Sequence, residues 1–206
     1  MKKQIVIIHG GKTFDSYEEY INSLKTRQVD IEKFKSKIDW RDSLRNNLGD
    51  SFEIIQPKMP NSNNAQYIEW KIWFERLVPF LDDSVILMGH SLGGIFLAKY
   101  LSENDFHRRI QSVILIAAPF ESMDVKESLG TFKLPLSLEK FEKQGGQIFL
   151  FNSEDDDVVS FSSCLKYQKV LPGAQVRIFK NRQHFNQKEF LELVELIKSI
   201  CAIILR

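Results

Sequence analysis

The chain has 206 residues, 43% hydrophobic and 27% charged, enough to bury one sizeable core and too few for two comfortable domains, so 1–206 is expected to form a single unit. Its 28 basic and 27 acidic side chains leave a formal charge of +1. That balance excludes the strong field that would draw a protein onto nucleic acid or an anionic membrane; it favours a small-molecule partner and leaves the oligomeric state open.

The N-terminus Met1-Lys2-Lys3-Gln4 is basic, but only Ile5 to Ile8 are continuously apolar before His9-Gly10-Gly11, too short a run for a signal peptide. This run is the first of six β-branched and aromatic segments, at 4–9, 52–56, 84–88, 112–117, 147–152 and 175–180. The first, third, fourth and fifth are nearly unbroken Ile, Val and Leu, as expected of parallel strands buried on both faces. Helix-like spacing lies between the strands, as in Tyr67, Trp70, Phe74 and Leu77, and again in Phe190, Leu193, Val194 and Ile197. Strand–helix alternation predicts an α/β fold: a doubly wound, six-stranded, mostly parallel sheet with helices on both faces. The segment 12–50 is charged, lacks a strand and has helical spacing at 17–24 and 31–44; it reads as a helical insertion that packs loosely on the sheet rather than as a lid. The apolar stretch at 196–205 is interrupted by Lys198 and Ser199 and falls well short of the roughly 20 residues that a membrane span requires. Two distant cysteines, Cys164 and Cys201, offer neither a disulfide framework nor a metal spacing, which fits reduced thiols and a cytoplasmic protein.

The chemistry concentrates after the third strand, where the apolar run 85–88 leads into Gly89-His90-Ser91-Leu92-Gly93 and then into the small and apolar residues of a helix. In this strand–turn–helix setting G-x-S-x-G reads as a nucleophile elbow: glycines two before and two after the serine remove side chains that the sharp turn would drive into backbone. Ser91 is the predicted nucleophile, and the Leu92 amide at the helix N-terminus points where an oxyanion develops. A serine hydroxyl needs a base and an acid that orients the base. The loop after the fifth strand holds Glu154-Asp155-Asp156-Asp157, in which Asp156, two residues before Val158-Val159, is the expected acid and Asp155 the alternative. Four consecutive carboxylates cannot converge on one ion, and no metal or cofactor is expected. His184, on the loop after the sixth strand, completes the order serine, acid, histidine. Of the other histidines, His90 shapes the elbow, His107 lies in a polar surface stretch, and His9 supports the glycine turn. That turn, His9-Gly10-Gly11, is expected to bring the Gly11 amide to the oxyanion. Gly11-Lys12-Thr13 also resembles the end of a phosphate-binding loop, but the glycine that motif needs at position 6 is Val6. Met59, Pro60, Phe120 and Trp40 are the expected pocket walls. The alternative to an enzyme is a binding protein that keeps the fold with a vestigial triad.

With elbow, acid loop and histidine loop located, the sequence resembles the retinoblastoma-binding-protein family of small lidless serine hydrolases, within the α/β-hydrolase superfamily. The likeness is clearest in Phe151-Asn152-Ser153-Glu154-Asp155-Asp156 and Gln183-His184-Phe185-Asn186. It implies a triad of Ser91, Asp156 and His184, a compact six-stranded parallel sheet, hydrolysis of small esters or amides through an acyl-enzyme, and no cofactor. Asp157 and Ser160 stand where that family commonly has prolines, and the segment 12–50 is longer than the family norm. The Leu-x-Cys-x-Glu motif is absent around both cysteines, so a pocket-protein partner has no support.

Overall fold

A computed structural model describes residues 2–35, 38–125 and 128–202. Six strands, β1 (Lys3–Ile8), β2 (Phe52–Ile55), β3 (Val85–His90), β4 (Ile110–Ile116), β5 (Gln147–Ser153) and β6 (Gln175–Phe179), form one sheet in the order β2-β1-β3-β4-β5-β6. Every neighbouring pair is parallel. The four apolar strands are the four interior ones, and the edge strand β6 keeps exposed residues.

Alternation along the inner strands divides the core between the two faces. Val6, Ile8, Leu87, Val113, Leu115 and Leu150 pack with α3 (Tyr67–Leu77), α4 (Leu92–Glu103), α5 (Glu139–Gln144) and α6 (Ser162–Val170). Ile5, Ile7, Met88, Ile114, Ile116, Phe149 and Phe151 pack with α2 (Trp40–Leu48) and α7 (Leu191–Ala202). The expected doubly wound α/β sheet is therefore present, and all of it is parallel.

The segment between β1 and β2 departs from expectation. Helix α1 (Tyr17–Thr26) forms where the spacing indicates, with Ser16 accepting from the Glu19 amide at 3.1 Å, but it buries no residue. The single helix expected at 31–44 is instead a short 3-10 turn, Ile31–Phe34, followed by α2; positions 36–37 lie outside the described residues. Asp39 starts α2 through a reciprocal capping box with Asp42, and Gly49 at φ 80° ends it. Ile31, Phe34 and Ile38 keep helical spacing but are 68–73% exposed, so no core holds them in a common helix. Unlike α1, α2 is anchored: Trp40, Leu44 and Leu48 are buried against the sheet face they share with α7. Among the described residues no helix is long and apolar enough to cross a membrane; positions 203–205 of the C-terminal apolar stretch lie outside them.

Candidate active site

The elbow is strained as the motif requires. Ser91 has φ 55° and ψ −122°, a backbone region that costs a non-glycine residue of order 1–3 kcal/mol. A Cβ at Gly89 would lie 2.3 Å from the Gly93 carbonyl oxygen, and one at Gly93 would lie 2.2 Å from that of Ile8. Both glycines are thus sterically obligatory. The Ser91 amide donates to the Ile116 carbonyl at 2.8 Å, tying the turn to β4, and helix α4 then runs through the core. As the first residue of α4, Leu92 has no intrahelical acceptor for its amide, which sits at the positive end of the helix dipole.

The turn after β1 approaches the elbow closely. A Cβ on Gly10 would stand 3.2 Å from Ser91 Cβ and 3.6 Å from Ser91 Oγ, whereas one on Gly11 would strike the Ser62 carbonyl oxygen at 2.8 Å. Both glycines and Leu92 line the cleft that holds Ser91. His9 braces the turn: its Nδ1–H donates to the Gly10 carbonyl at 2.6 Å, and its Nε2 accepts from the Met59 amide at 2.9 Å. Only a neutral ring satisfies both bonds, and burial also holds the His9 pKa below its ordinary value.

Asp156 and His184 meet. The His184 Nδ1–H donates to Asp156, 2.9 Å from Oδ2 and 3.2 Å from Oδ1, with the side chains only 10% and 2% exposed. Asp156 is fixed from its own loop by the Val158 and Val159 amides, which donate to Oδ1 at 2.8 and 2.9 Å. In the neutral ring this bond selects the Nδ1–H tautomer, and His184 lines the same cleft as Ser91. Among the described residues no hydrogen bond joins Ser91 Oγ to Nε2, a bond that in such sites commonly tightens only with substrate. Asp155 faces elsewhere. Its Oδ1 accepts from Ser153 Oγ at 2.5 Å and the Gln183 amide at 2.9 Å; the Ser153 bond is the largest cause holding its carboxyl below the usual range.

Three further side chains secure the histidine loop. Buried His90 donates from Nε2 to the His184 carbonyl at 2.8 Å. Trp40 donates from its indole to the Phe185 carbonyl and from its amide to the Gln187 carbonyl, both at 2.9 Å, and Ser43 Oγ donates to the Lys188 carbonyl at 2.9 Å. This support matters because His184 lies between Gln183 at φ 46° and Phe185 at φ 53°, two residues in a conformation that favours glycine. Burial lowers the His90 pKa to about 3, with the neighbouring His184 a second cause, so the ring donates as a neutral imidazole. Exposed His107, as expected, lies away from the site.

The cleft, about 490 Å³, has walls other than those expected. Pro119, Val125, Leu129, Val158 and Val159 form its apolar side, and Lys12 and Arg41 lie on its polar side. Met59, Pro60, Phe120 and Trp40 do not line it. Trp40 lies behind the histidine loop, Phe120 packs on Tyr167 at 4.9 Å, the Pro60 carbonyl accepts from the Trp70 indole, and Met59 is core. The apolar wall belongs to a crossover that local periodicity does not reveal. It is held to the acid loop by the bridge between Val125 and Val159 and by the Ser160 amide donating to the Asp124 carbonyl at 2.8 Å.

Comparison with known proteins places the family and the fold. The serine hydrolase family matches residues 35–200. Serine hydrolase RBBP9 of Rattus norvegicus is 26% identical over 153 residues, covering 72% of this chain and 78% of that protein. The structure of the ydeN gene product of B. subtilis superposes with a TM-score of 0.77 at 18% identity, covering 98% of this chain and 100% of the other. A meta-cleavage product hydrolase from Pseudomonas fluorescens superposes with a TM-score of 0.66 at 14% identity, covering 98% and 91%. The chain belongs to the serine hydrolase family and has the α/β-hydrolase fold.

Proposed function

We propose that this hydrolase cleaves a small ester through an acyl-enzyme on Ser91, with His184 as general base, Asp156 as the acid that orients it, and the Gly11 and Leu92 amides as oxyanion donors. The observation that carries the reading is the His184–Asp156 pair, 2.9 Å across and buried, in a loop that borders the Ser91 cleft. His184 Nε2 takes the Ser91 proton as Oγ bonds to the carbonyl carbon. The proton then passes to the departing alkoxide as the ester bond breaks, and a water molecule repeats both steps to release the acid. Amides at the start of α4 and in the glycine turn suit the negative charge that gathers on the carbonyl oxygen.

Neighbouring carboxylates provide the experiment. Asp156→Asn is expected to lower kcat on p-nitrophenyl esters by about 10³ or more, because the tautomer of His184 is no longer set. Asp155→Asn, which weakens only loop anchoring, is expected to stay within about tenfold. The reverse ranking would reassign the acid, and equal, small losses would contradict the triad.

A further inference from the structure

Gly10 and Arg41 line the catalytic cleft, here the first arm, and also line an adjoining second cavity of about 470 Å³, the second arm, bounded by α2 and the residues after β2. The two arms differ chemically. Beside Ser91 the first arm has an apolar wall of Leu92, Pro119, Val125, Leu129 and Val159, with Lys12 on its polar side, whereas the second is mainly polar, with Asp39, Arg41, Asp42 and Lys58 on its walls.

In the polar arm Asp39 is fully engaged by Arg41, Asp42 accepts one bond, and one edge of Arg41 and the Lys58 ammonium stay open. Asp39 takes the Nε and Nη2 donors of Arg41 and also the Arg41 amide, while Asp42 Oδ2 accepts from the Asp39 amide at 3.0 Å. This pairing holds the Asp39 carboxyl below its usual range, against the opposing effect of its burial. Arg41 is thereby held in one orientation, and among the described residues its Nη1 group has no partner; Lys58, exposed on the same arm, makes no ion pair there. A guanidinium with one edge fixed and one edge open is prepared to receive a second planar anion.

Direction follows from the histidine loop. Trp40, adjacent to Arg41, bonds the backbone at 185 and 187, so α2 lies on the His184 side of the site. A general acid protonates the leaving group, which must therefore leave on the side of His184. We propose that the enzyme takes esters of an apolar acid with a carboxylate-bearing alcohol, the acyl group in the apolar arm and the carboxylate between Arg41 and Lys58. The direction rests on the ester-hydrolase reading above; the anion site does not.

The test compares O-butanoyl lactate with its neutral isostere O-butanoyl lactamide. Release of butanoate is measured with wild-type protein, Arg41→Gln, Arg41→Lys and Lys58→Gln, and binding of both compounds to Ser91→Ala protein is measured by calorimetry. Wild type is expected to prefer the anion by about tenfold or more in kcat/KM, as a charge-assisted pair implies, with the preference collapsing in Arg41→Gln and partly restored in Arg41→Lys. Lys58→Gln, on an exposed side chain and independent of the Asp39 pair, is expected to reduce it severalfold. Equal turnover together with equal binding would overturn the subsite and leave the hydrolase reading intact, as would an anion preference that survives Arg41→Gln. Anion-selective binding to Ser91→Ala protein, abolished by adding Arg41→Gln, with no turnover of either ester by wild type, would support the subsite and sink the hydrolase reading.

Discussion

Helices α1 and α2 leave the same connection between β1 and β2, are both capped at their N-termini, and are both amphipathic, yet they do opposite things. Helix α1 buries nothing, with Tyr17 71% and Leu24 49% exposed, and it does not line the cleft. Helix α2 buries Trp40, Leu44 and Leu48, holds the backbone of the histidine loop and places Arg41 on the cleft wall. The contrast teaches that capping and periodicity make a helix, whereas the partner beneath it decides whether the helix matters. Here α2 rests on the sheet face it shares with α7 and reaches from there to the loop carrying His184, whose left-handed neighbours require outside support.

Substitutions at α2 should therefore reach the chemistry, and those at α1 should not. The largest effect is expected from Trp40→Phe, which keeps most of the ring but strands the Phe185 carbonyl at a cost of about 1–3 kcal/mol. Turnover should fall roughly tenfold or more with KM nearly unchanged, since the loop rather than the cleft wall is disturbed. A rise in KM alone would place Trp40 in substrate contact instead.

Next in size is an acid-dependent effect at His90. Its folded pKa, about 3, lies below the ordinary histidine value of 6.5, so unfolding takes up a proton. The resulting stability is fully present above pH 6.5 and is lost as pH falls from there toward about 3. Replacing His90 with glutamine, which can still donate to the His184 carbonyl, should flatten that acid limb in denaturant titrations. Parallel pH profiles for the two proteins would mean that His90 is not the group responsible.

The smallest effect belongs to α1: Leu24→Ala should change stability by no more than about 0.5 kcal/mol and leave turnover unaltered. A large loss there would erase the distinction between the two helices.

Much of this was legible in the sequence. The four interior strands show as unbroken apolar runs because both of their faces are buried, and the elbow shows because Gly89 and Gly93 are sterically obligatory. The segment 31–44 misleads because Ile31, Phe34 and Ile38 copy helical spacing without a surface to bury them; the readable signal was Asp39 with Asp42, a capping pair that starts a new helix. Asp155 and Asp156 are indistinguishable by type, and a turn sends one toward Ser153 and the other toward His184. Val125 and Leu129 escape notice because a crossover's path over the sheet is set by tertiary contacts, not by local pattern. Gly10 and Gly11 look alike in the sequence and differ in space, since Gly10 has the closer approach to Ser91 while Gly11 has no room for a side chain against Ser62.

The central claim is that Ser91 is an activated nucleophile whose base is His184. A fluorophosphonate probe reports on it directly, because it forms a stable bond only with a serine whose proton is drawn away. Wild-type protein should label rapidly, Ser91→Ala not at all, and His184→Ala at a rate lower by orders of magnitude; an unlabelled wild type, or equal labelling of the Ser91→Ala protein, would contradict the account.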